Sequence, residues 1–433
     1  MNSMPDRFPA RLMDRYSDQQ TLLSEMMIQL EMEFNKELDA ERLAKAVDLS
    51  LDAEPVLGCR FVDNSYWPFF ERLDVSERPA FSVTNSQNEY ETFKSTSIDH
   101  KTGPQIRVCL WHSPDGDRLL LKSSHHVADA AGIKDIAAIL SDIYRRLSDD
   151  PAYRPSPNIK EQRSLHEVIK HIPLHAYPRI FLTGMRSFLY CFIPPHAHSL
   201  YTSDGPKEPL VYIERLIPSE HVSTLVDYGH SHDATINDII TAAAFRSLAN
   251  IGNRKQDAHL SLSTTIDLRR YIPSGRAGAV ANLSYIMFYW PDIGTDPCQD
   301  FKDTLEKVAR ITRYGKTHWF GLDLIFNTYN PICLTMPHSL SINGYRLYYN
   351  SVHNKKAGTH WFTNIGPIDT ECVRFGIQPS RAHFLPPVAY PPVPFMFSLS
   401  GYNGTLTLSA GVYPVQKETI EKFFDAILKE LPA

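Results

Sequence analysis

The stretch SHHVADA, Ser124–Ala130, carries the most informative pattern in this chain of 433 residues. Two apolar runs, Ile106–His112 and Arg118–Ser123, precede it, and the turn residues PDGD at 114–117 separate them, which predicts a β-hairpin. The stretch Gly132–Leu147 follows it, with apolar residues at helical spacing. We therefore expect two histidines and an aspartate on a loop that joins a strand to a helix.

A neutral imidazole on such a loop has the chemistry of a general base. Its unperturbed pKa of about 6.5 lies close to working pH, so it can accept a proton from a hydroxyl or an amine. The chain contains 18 histidines, however, so the spacing of His125 and Asp129 can also arise by chance. The order strand, motif, helix, together with three segments downstream, favours the functional interpretation.

Four segments, in this order, resemble motifs of the His-x-x-x-Asp acyltransferases. That superfamily includes chloramphenicol acetyltransferase, plant BAHD acyltransferases, peptide-synthetase condensation domains and polyketide-associated acyltransferases. Ser124–Ala130 is similar to its His-x-x-x-Asp-Gly motif, with Ala130 in place of the glycine. ATINDII at 234–240 resembles the Asn-Asp helix start of condensation domains. The third segment is TIDLRR at 265–270, followed by Ala281-Asn282, and it is similar to the Asp-x-Arg and Gly-Asn stretch of the family. The fourth segment, FTNIG at 362–366, is similar to the Ser-Asn-x-Gly motif.

Differences from these motifs indicate which branch of the family the chain resembles most. The Asp-Phe-Gly-Trp-Gly segment of the plant BAHD group is missing, and RFGI at 374–377 is at best a remnant of it. Ser124 stands where condensation domains have the first histidine of His-His-x-x-x-Asp-Gly. The chain is thus most similar to the stand-alone condensation-like or polyketide-associated acyltransferases.

The resemblance implies an α/β (α+β) fold of two chloramphenicol-acetyltransferase-like lobes, each a mixed sheet with flanking helices, around a central channel. The order of predicted elements agrees with two α/β halves. Proline-rich stretches at 151–157 and 194–209 place the change of domain between them. We expect an N-terminal lobe at 1–180, a crossover linker at 181–209 and a C-terminal lobe at 210–433.

Residue patterns predict individual elements within the first half. Alternating apolar residues indicate strands at Met26–Phe34 and Val56–Val62, with a further strand at Phe93–Ile98. A helix is expected at Ala40–Leu51, because Asp39 is a suitable N-cap and the apolar residues follow helical spacing.

The resemblance also implies roles for individual residues. His125 matches the catalytic histidine, since His126 is only three residues from Asp129. Asp129 is expected to face away from the substrate and to pair with Arg269, which would hold the loop in place. The remaining candidates for contact with the substrate or with the oxyanion of the intermediate are His126, Asn282, Thr363 and Asn364.

Three functions are open at this point. The first is an acyltransferase, EC 2.3.1-like, that moves an acyl group from acyl-CoA to a hydroxyl or amine of a small molecule in secondary metabolism. The second is a condensation enzyme whose donor is a phosphopantetheine thioester on an acyl carrier protein. The third is a catalytically idle binding or scaffold protein. A thioester is already activated, so we expect neither a metal nor a redox cofactor.

Composition and missing motifs disfavour other classes of protein. A net charge of −5 gives no general attraction to nucleic acid or to an anionic membrane. The most apolar segment, Ile180–Pro194, is too short for stable membrane insertion. Six scattered cysteines and a polar N-terminus indicate a cytoplasmic protein, which we expect to be a monomer. HEVIKH at 166–171 does not place both histidines on one helical face, so it predicts no zinc site.

Overall fold

The computed structural model describes residues 4–191, 200, 209–251, 262–289, 300–322, 336–354, 359–390 and 393–433. Within these ranges the strands are β1 (Arg7–Pro9), β2 (Met27–Glu33), β3 (Cys59–Val62), β4 (Phe69–Arg72), β5 (Phe81–Thr84), β6 (Ile106–Ser113), β7 (Gly116–Ser124), β8 (Val211–Ile217), β9 (Leu262–Asp267), β10 (Ser284–Tyr289), β11 (His360–Pro367), β12 (Arg381–Leu385), β13 (Met396–Tyr402) and β14 (Thr405–Val412). The helices are α1 (Leu12–Gln20), α2 (Ala40–Ala53), α3 (Gln87–Ser95), α4 (Ala130–Asp149), α5 (His166–Ile169), α6 (Tyr177–Cys191), α7 (Ser219–Ser231), α8 (Ile236–Asn250), α9 (Phe301–Thr317), α10 (His338–Asn354) and α11 (Lys417–Glu430).

Five strands form the sheet of the N-terminal half, in the order β12-β2-β7-β6-β5. β6 and β7 form the predicted antiparallel hairpin, and β5 joins β6 in parallel, so the sheet is mixed. β2 pairs antiparallel with β7, which places Met27 opposite Ser124 where the motif loop begins. The motif loop therefore follows directly from β7, the central strand of this sheet.

Helix α4 begins directly after the motif because Asp129 caps it. Oδ1 of Asp129 accepts a hydrogen bond from the backbone N–H of Gly132 at 2.8 Å, a contact typically worth about 1 kcal/mol. The apolar positions predicted for this helix, such as Ile133, Ile136 and Leu140, are fully buried in the N-terminal core. Packing of this face on the sheet therefore fixes the second end of the loop.

Six strands form the sheet of the C-terminal half, in the order β10-β9-β11-β13-β14-β8. β11 lies between β9 and β13 and runs parallel to both, while the other pairs are antiparallel. Aromatic side chains join this sheet to α11: the rings of Phe397 and Phe423 meet edge to face at 5.4 Å. Both sheets are mixed, so the predicted class of two α/β halves is confirmed.

One strand crosses between the two halves. β12 comes from the C-terminal half of the sequence, yet it pairs antiparallel with β2 at the edge of the N-terminal sheet, with Phe384 opposite Leu30. The predicted domain boundaries stay a prediction, but this pairing ties residues 381–385 to the first lobe. Most of the expected linker, residues 192–199 and 201–208, lies outside the described residues.

Two strands predicted in the first half are wrong in whole or in part. Pro55–Gly58 forms a turn of 3₁₀ helix, so only the second part of the Val56–Val62 prediction is strand. Phe93 lies in α3, which Ser86 caps by accepting a hydrogen bond from Glu89. α3 buries Tyr90 and Lys94 at helical spacing, and this burial of a polar and a basic residue conceals the helix in the sequence.

The described part of the chain contains no helix that is long and apolar enough to cross a membrane. Cys59, Cys109 and Cys372 are free thiols. Burial raises the pKa of Cys59 to about 12, so this thiol stays protonated and unreactive.

The hairpin that leads to the motif depends on Gly116. Its φ of +121° favours glycine, and a Cβ would overlap the carbonyl oxygen of Phe34. We expect Gly116→Ala to destabilise the fold by about 1–3 kcal/mol from backbone strain alone, with a lower melting temperature. Gly103→Ala is the control, since a Cβ there meets only the Asp99 carbonyl at 3.5 Å. Equal melting temperatures for the two variants would contradict this assignment.

Candidate active site

A cavity of about 1040 Å³, including its solvent-filled mouth, lies between the two sheets. α1, the motif loop and α4 line it from one side, and β9, β10 and β11 line it from the other. The polar side chains on its wall are Tyr16, Ser17, Gln20, Ser24, His125, Asp129, Lys134, Thr265, Asp267, Asn282, Ser284, Tyr285, Thr363 and Asn364.

His125 is held at the cavity by its own backbone. Its N–H donates to the carbonyl of Met26 at 2.8 Å, which continues the pairing of β2 with β7. Its carbonyl accepts from Ser17 Oγ and from Asn282 Nδ2, each at 3.0 Å. Strand, helix α1 and the segment before β10 therefore all position this one residue.

The ring of His125 is prepared to act as a base. Burial lowers its pKa most strongly, against the charge of Asp129 and a hydrogen bond from the ring to its own carbonyl, which raise it. The hydrogen bond from the ring to the carbonyl of His125 itself assigns the ring proton to Nδ1. Nε2 is then unprotonated, and it has no hydrogen-bond partner among the described residues.

Asp129 forms a buried ion pair with Arg269, as the resemblance implied. Its Oδ2 accepts from Arg269 Nη1 and from the N–H of Leu283, both at 2.7 Å. Arg269 Nη2 also donates to the carbonyl of Ala281 at 2.8 Å. Burial acts to raise the pKa of Asp129, but the guanidinium of Arg269 holds it below its usual value. The carboxylate is therefore ionised, and its bonds hold the loop rather than a substrate.

A second ion pair, which the sequence did not reveal, supports the same loop. Arg163 Nη2 lies 3.0 Å from Asp14 Oδ1 and donates to the carbonyl of Val127 at 3.2 Å. Its Nε donates to the carbonyl of Val280 at 2.8 Å. Both ion pairs join the motif loop to the segment 280–283 from the C-terminal half.

Thr363 and Asn364 lie on the opposite wall of the cavity, on β11. The hydroxyls of Thr363 and Thr265 are 2.7 Å apart, so only one of their two protons is used in that hydrogen bond. The amide of Asn364 is occupied by the protein: Oδ1 accepts from Gly366 N–H at 3.0 Å and Nδ2 donates to Asn237 at 3.3 Å. One of the two hydroxyl groups, that of Thr363 or that of Thr265, therefore keeps a proton that it can donate to a group in the cavity.

His126 is not brought to the cavity. It is completely buried on the other side of the loop, where its Nδ1 is 2.9 Å from Ser124 Oγ. The backbone turns between the two histidines, so adjacent side chains point to opposite sides. Of the other predicted site residues, Arg269 lies behind the cavity wall, and those that line it are His125, Asp129, Asn282, Thr363 and Asn364.

Several residues at the cavity were not found from the sequence. Lys134 donates from α4 to the carbonyls of Ile365 and Pro367 at 2.7 and 2.8 Å, which bridges the two sides of the cavity. Thr265 lies in the segment TIDLRR, whose resemblance to a family motif could have indicated that Thr265 is near the site. No sequence pattern indicates Ser17, because it lies 108 residues from His125 in the chain.

No family sequence model matches the chain, and no curated protein matches it in sequence. Solved structures match its fold. TRI3 trichothecene 15-O-acetyltransferase from Fusarium sporotrichioides has a TM-score of 0.68 at 11% identity, covering 98% of this chain and 94% of that chain. Polyketide synthase associated protein 5 from Mycobacterium tuberculosis has a TM-score of 0.65 at 14% identity, covering 97% and 98%. The first condensation domain of the CDA synthetase has a TM-score of 0.63 at 14% identity, covering 99% and 97%.

This chain therefore shares its fold with an acetyltransferase, a polyketide synthase associated protein and a condensation domain. The resemblance carried by the four sequence motifs is confirmed at the level of the fold. Identities of 11% to 14% relate the chains by architecture, and the chemistry has to be argued from the cavity itself.

We expect Asp129→Ala and Arg269→Ala each to lower the free energy of unfolding by about 3–5 kcal/mol, because each variant leaves one buried charge without its partner. The loss in the double variant should be smaller than the sum of the two, since the second substitution removes the stranded charge. Urea unfolding of the three variants measures this. The exposed pair Glu418 and Lys422, 2.6 Å apart, is the control, and Glu418→Ala should leave the transition unchanged. Additive losses at Asp129 and Arg269 would contradict the pairing.

Proposed function

We propose that this protein is an acyltransferase that moves an acyl group from acyl-CoA to a hydroxyl or amine of a small-molecule acceptor in secondary metabolism. The observation that carries the proposal is the placement of His125 at the cavity between the two sheets. The fold shared with an acetyltransferase and a condensation domain supports the same reaction class.

In the proposed mechanism, His125 acts as the general base. Nε2 takes the proton of the acceptor while the acceptor oxygen or nitrogen attacks the thioester carbonyl. The tetrahedral intermediate collapses, the carbon–sulfur bond breaks, and the leaving thiolate takes the proton back from the imidazolium. The reaction balances with no covalent enzyme intermediate, because the thioester supplies the activated acyl group.

The oxyanion of the intermediate requires a hydrogen-bond donor. We assign this role to Thr363, on the wall opposite His125, because the pair of hydroxyls at 363 and 265 leaves one proton available. The amide of Asn364 is already bonded to Gly366 and Asn237, so we assign it the role of shaping β11 at the cavity. Asn282 Nδ2 donates to the carbonyl of His125, which makes Asn282 a positioning residue.

The donor carries the same phosphopantetheine arm whether it is bound to CoA or to an acyl carrier protein. The similarity to the first condensation domain of the CDA synthetase therefore favours one alternative, a condensation enzyme that takes its acyl group from a carrier protein. Both alternatives use His125 in the same way, and only the donor distinguishes them.

The direct test is mass spectrometry of products formed from a panel of acyl-CoA and acyl-carrier donors with candidate alcohols and amines. We expect an ester or amide with acyl-CoA, and about a 10²–10⁴-fold lower turnover for His125→Ala at an unchanged melting temperature. His230→Ala, an exposed histidine on α7, is the matched control. Product from carrier donors alone would support the condensation alternative. Near wild-type turnover of His125→Ala would overturn the mechanism and favour a binding protein.

The lowered pKa of His125 predicts how activity depends on pH. Burial disfavours the charged imidazolium, so the ring stays in its neutral, basic form at a lower pH than an exposed histidine. The acid limb of kcat/KM should therefore have an apparent pKa below about 6.5, the ordinary value for histidine. A profile measured with an acceptor that does not titrate in this range checks it, and a midpoint clearly above 6.5 would be inconsistent.

A further inference from the structure

Helix α6 and the turn before it carry apolar side chains on their exposed side as well as on the side that packs on the protein. Ala176 and Ile180 are buried in a core that also contains residues of α1 and β10. The exposed apolar side chains, with their exposed fractions, are Leu174 at 86%, Phe181 at 57%, Leu182 at 68% and Met185 at 42%. A surface helix normally has polar residues on the side away from the core, so packing within the chain does not explain these residues.

The exposed side of α6 is convex. Over residues 174–185 the buried positions are 176, 180 and 184, which follow one another at four-residue spacing and therefore share one helical face. Phe181, Leu182 and Met185 lie on the remaining circumference, where residues three and four apart are neighbours. The apolar surface of α6 thus projects from the protein.

The same part of the protein is basic, although the whole chain has a net charge of −5. Residues 168–191 contain three Lys or Arg and no Asp or Glu. Residues 307–322, which include most of α9, contain four Lys or Arg and no Asp or Glu. The positive charge of these two segments is local, so the net charge of the chain conceals it.

The two basic segments are in contact. Arg179 donates from Nη2 to Nε2 of His318, and Nδ1 of that ring lies 2.7 Å from the carbonyl oxygen of Tyr314. The rings of His318 and Tyr314 stack at a centroid distance of 3.5 Å. Tyr314 is 49% exposed, and Arg310 precedes it by one turn of α9. Together they form one exposed surface, called here the α6–α9 surface, which consists of Arg179, Leu182, Met185, Arg310, Tyr314 and Lys316.

Three cations of the α6–α9 surface are available to a partner. Arg179, Arg310 and Lys316 are exposed, and none of them forms an ion pair with a carboxylate of the described residues. Arg313, by contrast, already pairs with Asp233. Cations of this kind beside exposed apolar side chains indicate a partner that is both anionic and apolar.

We propose that the α6–α9 surface binds an anionic lipid bilayer, with Leu182 and Met185 in the headgroup region and the three cations at the lipid phosphates. A helix with large apolar side chains and neighbouring Lys or Arg residues lies in the plane of such a surface. Each Lys or Arg near the surface strengthens binding about fivefold. α6 has 15 residues, fewer than a spanning helix needs, so the protein lies on the bilayer and does not cross it.

The convex shape favours lipid over an acidic protein as the partner. Apolar side chains that project from a helix enter the headgroup region one by one, whereas a protein partner requires a complementary packed surface. The proposal differs from the sequence-based expectation, which considered only the net charge of the chain. No residue of the α6–α9 surface lines the cavity at His125, so this proposal and the proposed acyl transfer can fail separately.

The test is co-sedimentation of the full chain with vesicles of phosphatidylcholine alone and of phosphatidylcholine mixed with phosphatidylserine. We expect about 10–100-fold tighter binding to the mixed vesicles, because three cations contribute. Binding should weaken as salt shortens the Debye length from about 10 Å at 0.1 M to about 3 Å at 1 M. Wild-type protein that does not sediment with the mixed vesicles at low salt overturns the proposal.

The apolar contacts are tested by the double variant Leu182→Ser and Met185→Ser. It should bind the mixed vesicles at least about tenfold more weakly, since it removes two apolar side chains from the lipid. Leu216→Ser is the matched control, because Leu216 is 47% exposed on β8, outside this surface. All three side chains are exposed, so the melting temperatures should stay close to that of the wild type. Unchanged binding by the double variant contradicts the proposal.

The charges are tested by the double variant Arg310→Gln and Lys316→Gln, with Lys422→Gln on α11 as the control. The double variant should bind the mixed vesicles about 20-fold more weakly and with a smaller dependence on salt. Lys422→Gln should bind as the wild type does. An acyl carrier protein is the comparison ligand in solution. If it binds through Arg310 and Lys316 while the chain does not sediment with vesicles, the partner is an acidic protein and the proposal is overturned.

Discussion

The buried pair of Asp129 and Arg269 is the interaction on which the rest of the site depends. Asp129 belongs to the loop between β7 and α4, and Arg269 follows β9 of the other sheet, so their hydrogen bond of 2.7 Å is a direct link between the two sheets. The same carboxylate caps α4 and accepts from the backbone of Leu283. A buried charge is tolerated only when it is fully paired, so the loop has one well-defined position.

His125 takes its chemistry from that position. Because Asp129 is occupied by Arg269 and by backbone donors, it is not available as a second base, whereas the imidazole of His125 lines the cavity. Asn282 and Ser17 hold the backbone of His125 from two different elements. Hydrogen bonds from Ser17 and Asn282 to its carbonyl therefore fix His125 at the cavity wall.

The structure uses the two neighbouring histidines in different ways. His125 has one free ring nitrogen at the cavity, whereas His126 is completely buried against Ser124, His100 and Asp18. The His-x-x-x-Asp spacing identified His125, since it lies four residues before Asp129. No sequence pattern predicted the position of His126, because its neighbours Asp18 and His100 are distant in the chain and periodicity describes only local structure.

The sequence by itself determined the local features: the hairpin before the motif, the helix after it and the capping by Asp129, each set by neighbouring residues. Four short motifs in order also indicated the fold and the residue Arg269. Only the tertiary structure decided the edge strand β12, the ion pair of Arg163 with Asp14, the cavity contacts of Ser17 and Lys134, and the histidine cluster at Asp18. These contacts join residues far apart in the chain, and their energies come from burial and charge pairing that no local pattern records.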